Sequence, residues 1–236
     1  LYENLADPEV RIRIRAEMEV QTEPWEPFCS LATPEGTMLL GLNLPEHQQY
    51  RGWWLADVAE AMDKHWTETA MDLVLAERQR VGTIYFLMSE ENVAMQIAQP
   101  WMKFGTDAGG MDPIRATGLA HPRTYGTFAR VLGKYVRDEG ALTLEDAIRK
   151  MSSAVATRLK IRDRGFLKEG YYADLVVFDP ETVADHATYD RPHQLSTGVA
   201  HVLVNGVPVV SDGEHTGEMP GLPVRGPGWT GWEQPR

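Results

Sequence analysis

The hydrophobic pattern changes along the chain, and that change limits the possible folds more than any other feature. In the first two thirds, amphipathic helical segments alternate with short apolar runs at residues 83–87 and 101–106. This order of strand, helix and strand with short connections is typical of a parallel α/β fold. After Ala173 the pattern becomes a series of short β-type runs, at residues 174–178, 199–204 and 207–210. The sequence therefore predicts an α/β region followed by a smaller β region.

The composition argues against two classes of partner. The chain has 236 residues and a formal charge of −11, whereas surfaces that bind nucleic acid or acidic membranes are usually basic. No apolar run approaches the roughly 20 residues that a membrane-spanning helix needs. We therefore expect no nucleic-acid partner and no membrane segment. The sequence does not indicate an oligomeric state.

The cysteine content and the first residues bear on where the protein works. Cys29 is the single cysteine, so no internal disulfide can form, which suits a reducing compartment. Residues 1–5 do not have the pattern of a signal peptide. We therefore expect a cytoplasmic protein. The first residue is Leu1 rather than Met, and we expect the chain to begin within a longer protein.

Local signals predict several elements. Asp7 is a suitable helix cap, and Pro8 and Glu9 favour the first turn that follows it. The run from Phe28 to Ala32 is short and apolar, and it predicts a buried strand. Amphipathic spacing and capping residues predict helices at residues 55–62, 67–80, 92–98, 125–138 and 143–156.

Several longer strings carry a resemblance to a known family. They are YFLMSEENV at 85–93, GTD at 105–107, HPRTYGTFARVLG at 121–133, EDAIRKM at 145–151, GYYADLVVFDP at 170–180 and HVLVNGVPVV at 201–210. Together they resemble the N-acyl-D-amino-acid deacylases, or D-aminoacylases, of the metal-dependent amidohydrolase superfamily. The string at 121–133 is the most specific, whereas ADLVV alone indicates only the superfamily.

The resemblance implies a fold and two domains. Residues 1–158 are expected to form the C-terminal portion of a (β/α)8 TIM-like hydrolase barrel. Residues 159–236 are expected to form part of a small β-sandwich, which in this superfamily also takes strands from the protein's N-terminus.

The resemblance also implies a reaction and its residues. The expected reaction is zinc-dependent hydrolysis of the amide bond of an N-acyl-D-amino acid. Asp107 would carry protons to and from the reacting groups, and is a candidate metal ligand. Arg123 would hold the substrate carboxylate, because a planar guanidinium binds a carboxylate through two bonds. Ser30 resembles a substrate-contacting serine.

The metal ligands of the family are mostly expected upstream of this chain. The family often reads Gly-Ser-Asp-Gly at the catalytic strand, whereas this chain reads GTDAGG at 105–110. No His-x-His pair occurs, and the histidines are scattered, at positions 47, 65, 121, 186, 193, 201 and 215. We therefore expect the zinc ligands to be incomplete here and the chain alone to be inactive.

Each candidate residue also has a structural interpretation. Asp107 suits a turn, Arg123 suits a surface ion pair, and the Ser30 hydroxyl suits a backbone contact at a strand end. Cys29 is interpreted as a small buried hydrophobe. Further residues with structural interpretations are His121 as a loop residue, Tyr85, Phe86 and Met88 as core, and Glu90 and Glu91 as a solvated helix face.

Two other functions stay open at this point. A sibling amidohydrolase acting on cyclic amides, such as a dihydroorotase or hydantoinase, would share Asp107 and the β region, but the string around Arg123 fits it poorly. A non-catalytic remnant that serves as a binding or assembly module would account for the missing metal ligands.

Overall fold

A computed structural model describes residues 1–20, 25–116 and 118–231, and the chain divides into two compact units. The first unit comprises Leu1–Ser89, Met111–His121 and Thr188–His193. The second comprises Glu90–Gly110, Pro122–Ala187 and the described part of Gln194–Arg236. The domain boundary expected after residue 158 rests on the family resemblance and stays a prediction.

In the part of the first unit that the structure describes, short helices accompany one strand pair. The helices are α1 Tyr2–Ala6, α2 Pro8–Glu19, α3 Phe28–Ala32, α4 Leu55–Ala61 and α5 Trp66–Glu77, with 3-10 turns at Pro34–Gly36 and Gln48–Tyr50. The strands are β1 Thr37–Leu39 and β2 Thr83–Tyr85. They pair antiparallel, with Thr37 opposite Tyr85.

The predicted start of α2 is confirmed. Asp7 Oδ1 accepts from the backbone N–H groups of Glu9 at 2.9 Å and Val10 at 3.4 Å. Pro8 occupies the first turn, where its missing N–H leaves no bond unmade. The capping chemistry of this segment was therefore readable from the sequence alone.

The strand predicted at residues 28–32 is wrong, because Phe28–Ala32 forms helix α3. The N–H groups of Ser30 and Leu31 both donate to the carbonyl of Pro27, at 2.8 and 3.1 Å. The segment contains no β-branched residue, and a short apolar run does not by itself distinguish a strand from a helical turn.

Two clusters of buried side chains form the core of the first unit. Helices α4 and α5 pack around the larger cluster, which contains Leu39, Leu42, Leu55, Val58 and Leu73. The smaller cluster joins the two strands through Met38, Leu40 and Ile84, with Trp54 and Leu119 against it. These contacts hold the short β1–β2 pair, which would be marginal as an isolated hairpin.

The second unit contains helices followed by an antiparallel sheet. Its helices are α6 Glu90–Ile97, α7 Arg123–Arg130, a π-helical segment Val131–Asp138, α8 Leu144–Met151 and α9 Ser153–Leu159. Its strands are β3 Leu175–Phe178, β4 Val199–Val204, β5 Val207–Ser211 and β6 Glu214–His215, hydrogen-bonded in that order.

The β-type runs expected after Ala173 are confirmed as β3, β4 and β5. Between β4 and β5, Asn205 and Gly206 have φ angles of 52° and 82°, as the tight turn of a hairpin requires. The sheet pairings among the described residues are antiparallel. The parallel pairing expected from strand, helix and strand is therefore not found in those residues.

The helices of the second unit bury a common core. Its fully or nearly buried members are Ile97, Val131, Leu132, Tyr135, Ala147 and Val183. Lys150 is also buried, and its side chain has no exposed surface. None of the helices in the described ranges combines the length and apolar character that a bilayer span requires.

Candidate active site

The structure brings together two of the residues that the sequence singled out. Arg123 Nη2 lies 2.9 Å from Asp107 Oδ2. The Asp107 side chain is 88% exposed and that of Arg123 is 44% exposed. A carboxylate and a guanidinium thus meet at the surface of the second unit, where a small solute can reach both.

Asp107 has an unusual backbone conformation. Its φ angle is +47°, in the left-handed region that side chains other than those of Gly, Asn and Asp rarely adopt. The hydroxyl of the preceding residue, Thr106, accepts a bond from the N–H of Ala108 at 3.2 Å. The glycines two residues away on either side, Gly105 and Gly109, have open space around them.

The strand predicted at residues 101–106 is wrong. The segment from Met102 to Asp112 has no helix or strand, so Asp107 does not follow a strand here. The Phe104 N–H instead donates to the carbonyl of Lys150 at 3.4 Å. An apolar run forms a sheet only beside a neighbouring strand. Among the described residues, this run instead contacts the end of α8.

Helix α7 positions Arg123. Pro122 precedes the helix, and its carbonyl accepts from the N–H groups of Tyr125 and Gly126 at 3.0 and 3.1 Å. The hydroxyl of Thr127 donates to the Arg123 carbonyl at 2.9 Å. Arg123 therefore stands on a hydrogen-bonded first turn.

Two glycines of the same string let another segment approach closely. A methyl group on Gly126 would lie 1.8 Å from Asp185 Oδ1, and one on Gly133 would lie 2.7 Å from the carbonyl oxygen of Val183. The helical segment that begins at Arg123 therefore packs closely against residues 183–185. This explains why the string contains glycines within a helix, where they are otherwise unfavourable.

Glu90 lies on an exposed helix face, as the sequence predicted, with a side chain that is 60% exposed, and its carboxylate is also bonded by three neighbouring side chains. Its carboxylate accepts from Arg130 Nη2 at 3.1 Å, from Tyr135 Oη at 2.9 Å and from Lys134 Nζ. The hydrogen bond from Lys134, together with the one from Tyr135, holds the pKa of Glu90 below its ordinary value despite some burial. Lys134 and Tyr135 belong to the π-helical segment, a local widening that often marks functional regions.

Ser30 lies in the first unit, whereas Asp107 and Arg123 lie in the second. Its Oγ is buried, and within the described chain it has no hydrogen-bond partner.

The neighbouring Cys29 Sγ lies 3.8 Å from Tyr85 Oη. Burial raises the pKa of the Cys29 thiol, and burial beside Cys29 raises the pKa of Tyr85 to about 12. Both groups are therefore neutral near pH 7, as the interpretation of Cys29 as a buried hydrophobe expects.

An aromatic cluster in the first unit includes a residue that sequence reasoning missed. The Phe86 ring centroid lies 5.0 Å from that of Trp54 and 4.7 Å from that of Tyr189. His121 stands edge-on to Tyr189 at 5.4 Å. Tyr189 lies far along the chain from the other three, and no local pattern linked it to them.

The residues that the structure describes do not include a group of three or more His, Cys, Asp or Glu side chains suited to a metal. Asp107 is a candidate ligand by its exposed carboxylate, but its described polar partner is Arg123. These residues therefore do not form a complete metal site by themselves.

Comparison with known proteins identifies similar sequences. Residues 76–210 match the amidohydrolase family. A D-aminoacylase from Alcaligenes xylosoxydans xylosoxydans is 45% identical over 148 residues, which cover 63% of this chain and 30% of that protein. An N-acyl-D-aspartate deacylase from the same organism is 40% identical over 175 residues, which cover 71% of this chain and 34% of that protein.

A solved structure is similar in both sequence and fold. It is an N-acyl-D-glutamate deacylase from Bordetella bronchiseptica, complexed with zinc and a phosphonate inhibitor that mimics the tetrahedral intermediate. The TM-score is 0.65 at 38% identity, over 78% of this chain and 37% of that one. The chain spans about a third of the length of the curated relatives it matches.

Proposed function

Because this chain belongs to the amidohydrolase family, we propose that it takes part in hydrolysing the amide bond of N-acyl-D-amino acids. The products are a carboxylate and a free D-amino acid. The observation that carries the proposal is the contact between Asp107 and Arg123, which pairs a proton-carrying group with a carboxylate-binding group. The similarity to D-aminoacylase and N-acyl-D-aspartate deacylase supports the substrate class.

Asp107 is the proposed proton carrier. An ionised carboxylate takes a proton from the attacking water and then delivers it to the nitrogen of the leaving amine. The amine is a poor leaving group until its nitrogen is protonated. The high exposure of Asp107 supports this role, because water and substrate have direct access to its carboxylate.

Arg123 is the proposed binder of the substrate's α-carboxylate. Its planar guanidinium donates two parallel bonds to a carboxylate, which fixes orientation as well as charge. Because Arg123 now contacts Asp107, the substrate carboxylate replaces that contact on binding. The same exchange frees Asp107 to accept a proton.

Zinc is the proposed metal, by similarity to the relative complexed with zinc. A bound zinc ion would supply Lewis-acid chemistry, polarising the amide carbonyl and lowering the pKa of water. Asp107 is the candidate ligand among the described residues, which lack a complete set. Ser30 is the proposed substrate contact on the strength of the family resemblance.

The proposed architecture follows the same relatives. Residues 1–158 are assigned to the C-terminal portion of a TIM-like barrel, and residues 159–236 to part of a small β-sandwich. The similarity of the chain to a deacylase structure supports the first assignment, and the antiparallel strands β3 to β6 support the second.

The test is turnover of N-acetyl-D-methionine by the longest native form of the protein, with zinc content measured on the same sample. Asp107→Asn is expected to lower kcat by about 100- to 10,000-fold, the range typical for loss of a general acid–base group. Asp112→Asn removes an exposed carboxylate five residues further along the chain and is expected to leave kcat unchanged. Equal activity of Asp107→Asn and the native protein would remove Asp107 from the mechanism.

A non-catalytic binding or assembly module is the second candidate. The lack of a three-ligand cluster among the described residues favours it. A folded native protein that holds no zinc and hydrolyses neither N-acetyl-D-methionine nor a hydantoin would support this module. Turnover that depends on Asp107 would exclude it.

A further inference from the structure

An open cationic cavity of about 380 Å³ lies beside helices α8 and α9 of the second unit. Its lining residues are Lys103, Arg149, Ser153, Ala154, Thr157 and Arg158. No carboxylate of the described chain lines it, although the whole chain carries a charge of −11. The charged side chains that line the cavity are therefore all positive, whereas the net charge of the chain is negative.

The break between α8 and α9 shapes this cavity. Helix α8 ends at Met151, and Ser152 has φ −127° and ψ −87°, so the chain turns before α9 begins at Ser153. Residues four apart lie on one side of a helix. Ser153 therefore shares a side of α9 with Thr157, which brings two hydroxyl groups to the same wall.

The Arg149 guanidinium is held in place but is not fully neutralised. It donates to Asp146 Oδ1 from Nη2 at 2.7 Å and from Nε at 2.9 Å, and to the carbonyl of Pro100 at 3.2 Å. Asp146 also contacts the buried Lys150 Nζ at 2.9 Å, so its single negative charge is shared between two cations. An excess of positive charge remains on this side of α8.

The other two cations have no carboxylate partner in the described residues. Lys103 Nζ donates to the neutral carbonyl of Trp101 at 2.9 Å. Arg158 lies exposed on α9, and the described side chains form no ion pair with it. Both cations are therefore available to an anion in the cavity.

We infer that this cavity binds the phosphate group of inorganic phosphate or of a phosphomonoester. Two guanidinium groups, one ammonium group and two hydroxyl groups line its open wall, and these are the donors that bind phosphate oxygens in proteins. A tetrahedral dianion can use donors from several directions, whereas a planar carboxylate carries one charge and two oxygens. The lining residues are separate from Asp107, Arg123 and Ser30, so this site goes beyond the proposed deacylase function.

The test is titration calorimetry with inorganic phosphate at constant ionic strength. We expect saturable binding at one site. Arg158→Gln and Lys103→Gln are each expected to weaken it about tenfold, as the loss of one charge-assisted bond predicts. The matched control is Arg13→Gln, which removes the same charge from an exposed position on α2 and should leave affinity unchanged. Because these side chains are exposed, circular dichroism should show native folding for all three variants.

Several outcomes would overturn the site. They are absence of saturable phosphate binding, an equal loss in Arg13→Gln, and acetate binding as tightly as phosphate. Comparison with glycerol 3-phosphate distinguishes the two ligand sources. Tighter binding of the ester assigns the site to an organic phosphomonoester, and tighter binding of phosphate assigns it to the inorganic ion.

Discussion

Arg123 donates to Asp107 across 2.9 Å, so the proposed carboxylate binder and the proposed proton carrier neutralise each other in the structure. The pair lies at the surface, where water competes for both charges and such contacts add about 0–1 kcal/mol to stability. Substrate can therefore open the contact at low cost. The contact is therefore suited to replacement by the substrate carboxylate, and it contributes little to the stability of the fold.

Arg123→Gln should raise KM for N-acetyl-D-methionine by about 100-fold, because a charge-assisted hydrogen bond contributes about 1.5–3 kcal/mol. The effect on kcat should be smaller. Steady-state kinetics with the longest native form of the protein measures both constants. On N-acetyl-D-methionine amide, which has no carboxylate, the variant and the native protein should have equal KM. A 100-fold rise on the amide as well would contradict the assigned role.

Glu77 is a buried carboxylate in the first unit with several donors around it. Its oxygens lie 2.9 Å from Asn43 N, 3.1 Å from Gln79 Nε2 and 2.9 Å from His47 Nδ1. Burial alone would raise the pKa of Glu77, but the bonds from Asn43 and His47, with others, lower it below the ordinary value. The ionised form is therefore the one that the fold stabilises.

Glu77→Gln should lower the free energy of unfolding by about 2 kcal/mol near neutral pH. Because the folded pKa of Glu77 is depressed, its stabilisation is complete above the unfolded value, about 4.3, and is lost as pH falls through the folded pKa. The difference between native and variant should thus shrink in acid. Urea denaturation across the acidic range measures it, with exposed Glu60→Gln as the control. A constant difference at all pH values would refute the assignment.

Lys150 is held by two polar contacts inside the second unit. Its Nζ donates to the carbonyl of Ile97 at 2.6 Å and lies 2.9 Å from Asp146 Oδ2. Lys150→Met should lower the free energy of unfolding by about 1–3 kcal/mol, because it leaves the Ile97 carbonyl buried without its donor. In urea denaturation, the exposed control Lys168→Met should stay within about 0.5 kcal/mol. Equal free energies of unfolding for the two variants would show that the polar contacts of Lys150 do not stabilise the fold.

Gly133→Ala should destabilise the second unit by about 1–3 kcal/mol, the usual cost of forcing atoms into a packed site. The added methyl would meet the backbone oxygen of Val183 at 2.7 Å, and backbone cannot move aside as a side-chain tip can. Gly109→Ala is the control, since nothing lies within 4 Å of its added methyl. Thermal unfolding of the two variants compares them, and an unchanged midpoint for Gly133→Ala would contradict the close approach.

Local chemistry explains the parts of the fold that were predictable. The Asp7 cap, the apolar runs of β3 to β5 and the helix predicted at 125–138, which begins at Arg123 in the structure, depend on residues near one another in the chain. The failures share one cause. Residues 28–32 and 101–106 are short apolar runs, and only the availability of a partner strand decides whether such a run becomes a strand. In the described structure neither run has a partner strand.

The sequence by itself determined the Asp7 cap of α2, the positions of β3 to β5 and, through the string at 121–133, membership of the amidohydrolase family. Only the tertiary structure decided that Arg123 contacts Asp107, that Glu90 is bonded by the π-helical segment and that Lys150 is buried. The reason is physical. Caps and turns satisfy backbone groups a few residues away, whereas these contacts join segments whose distance is set by the packing of whole helices.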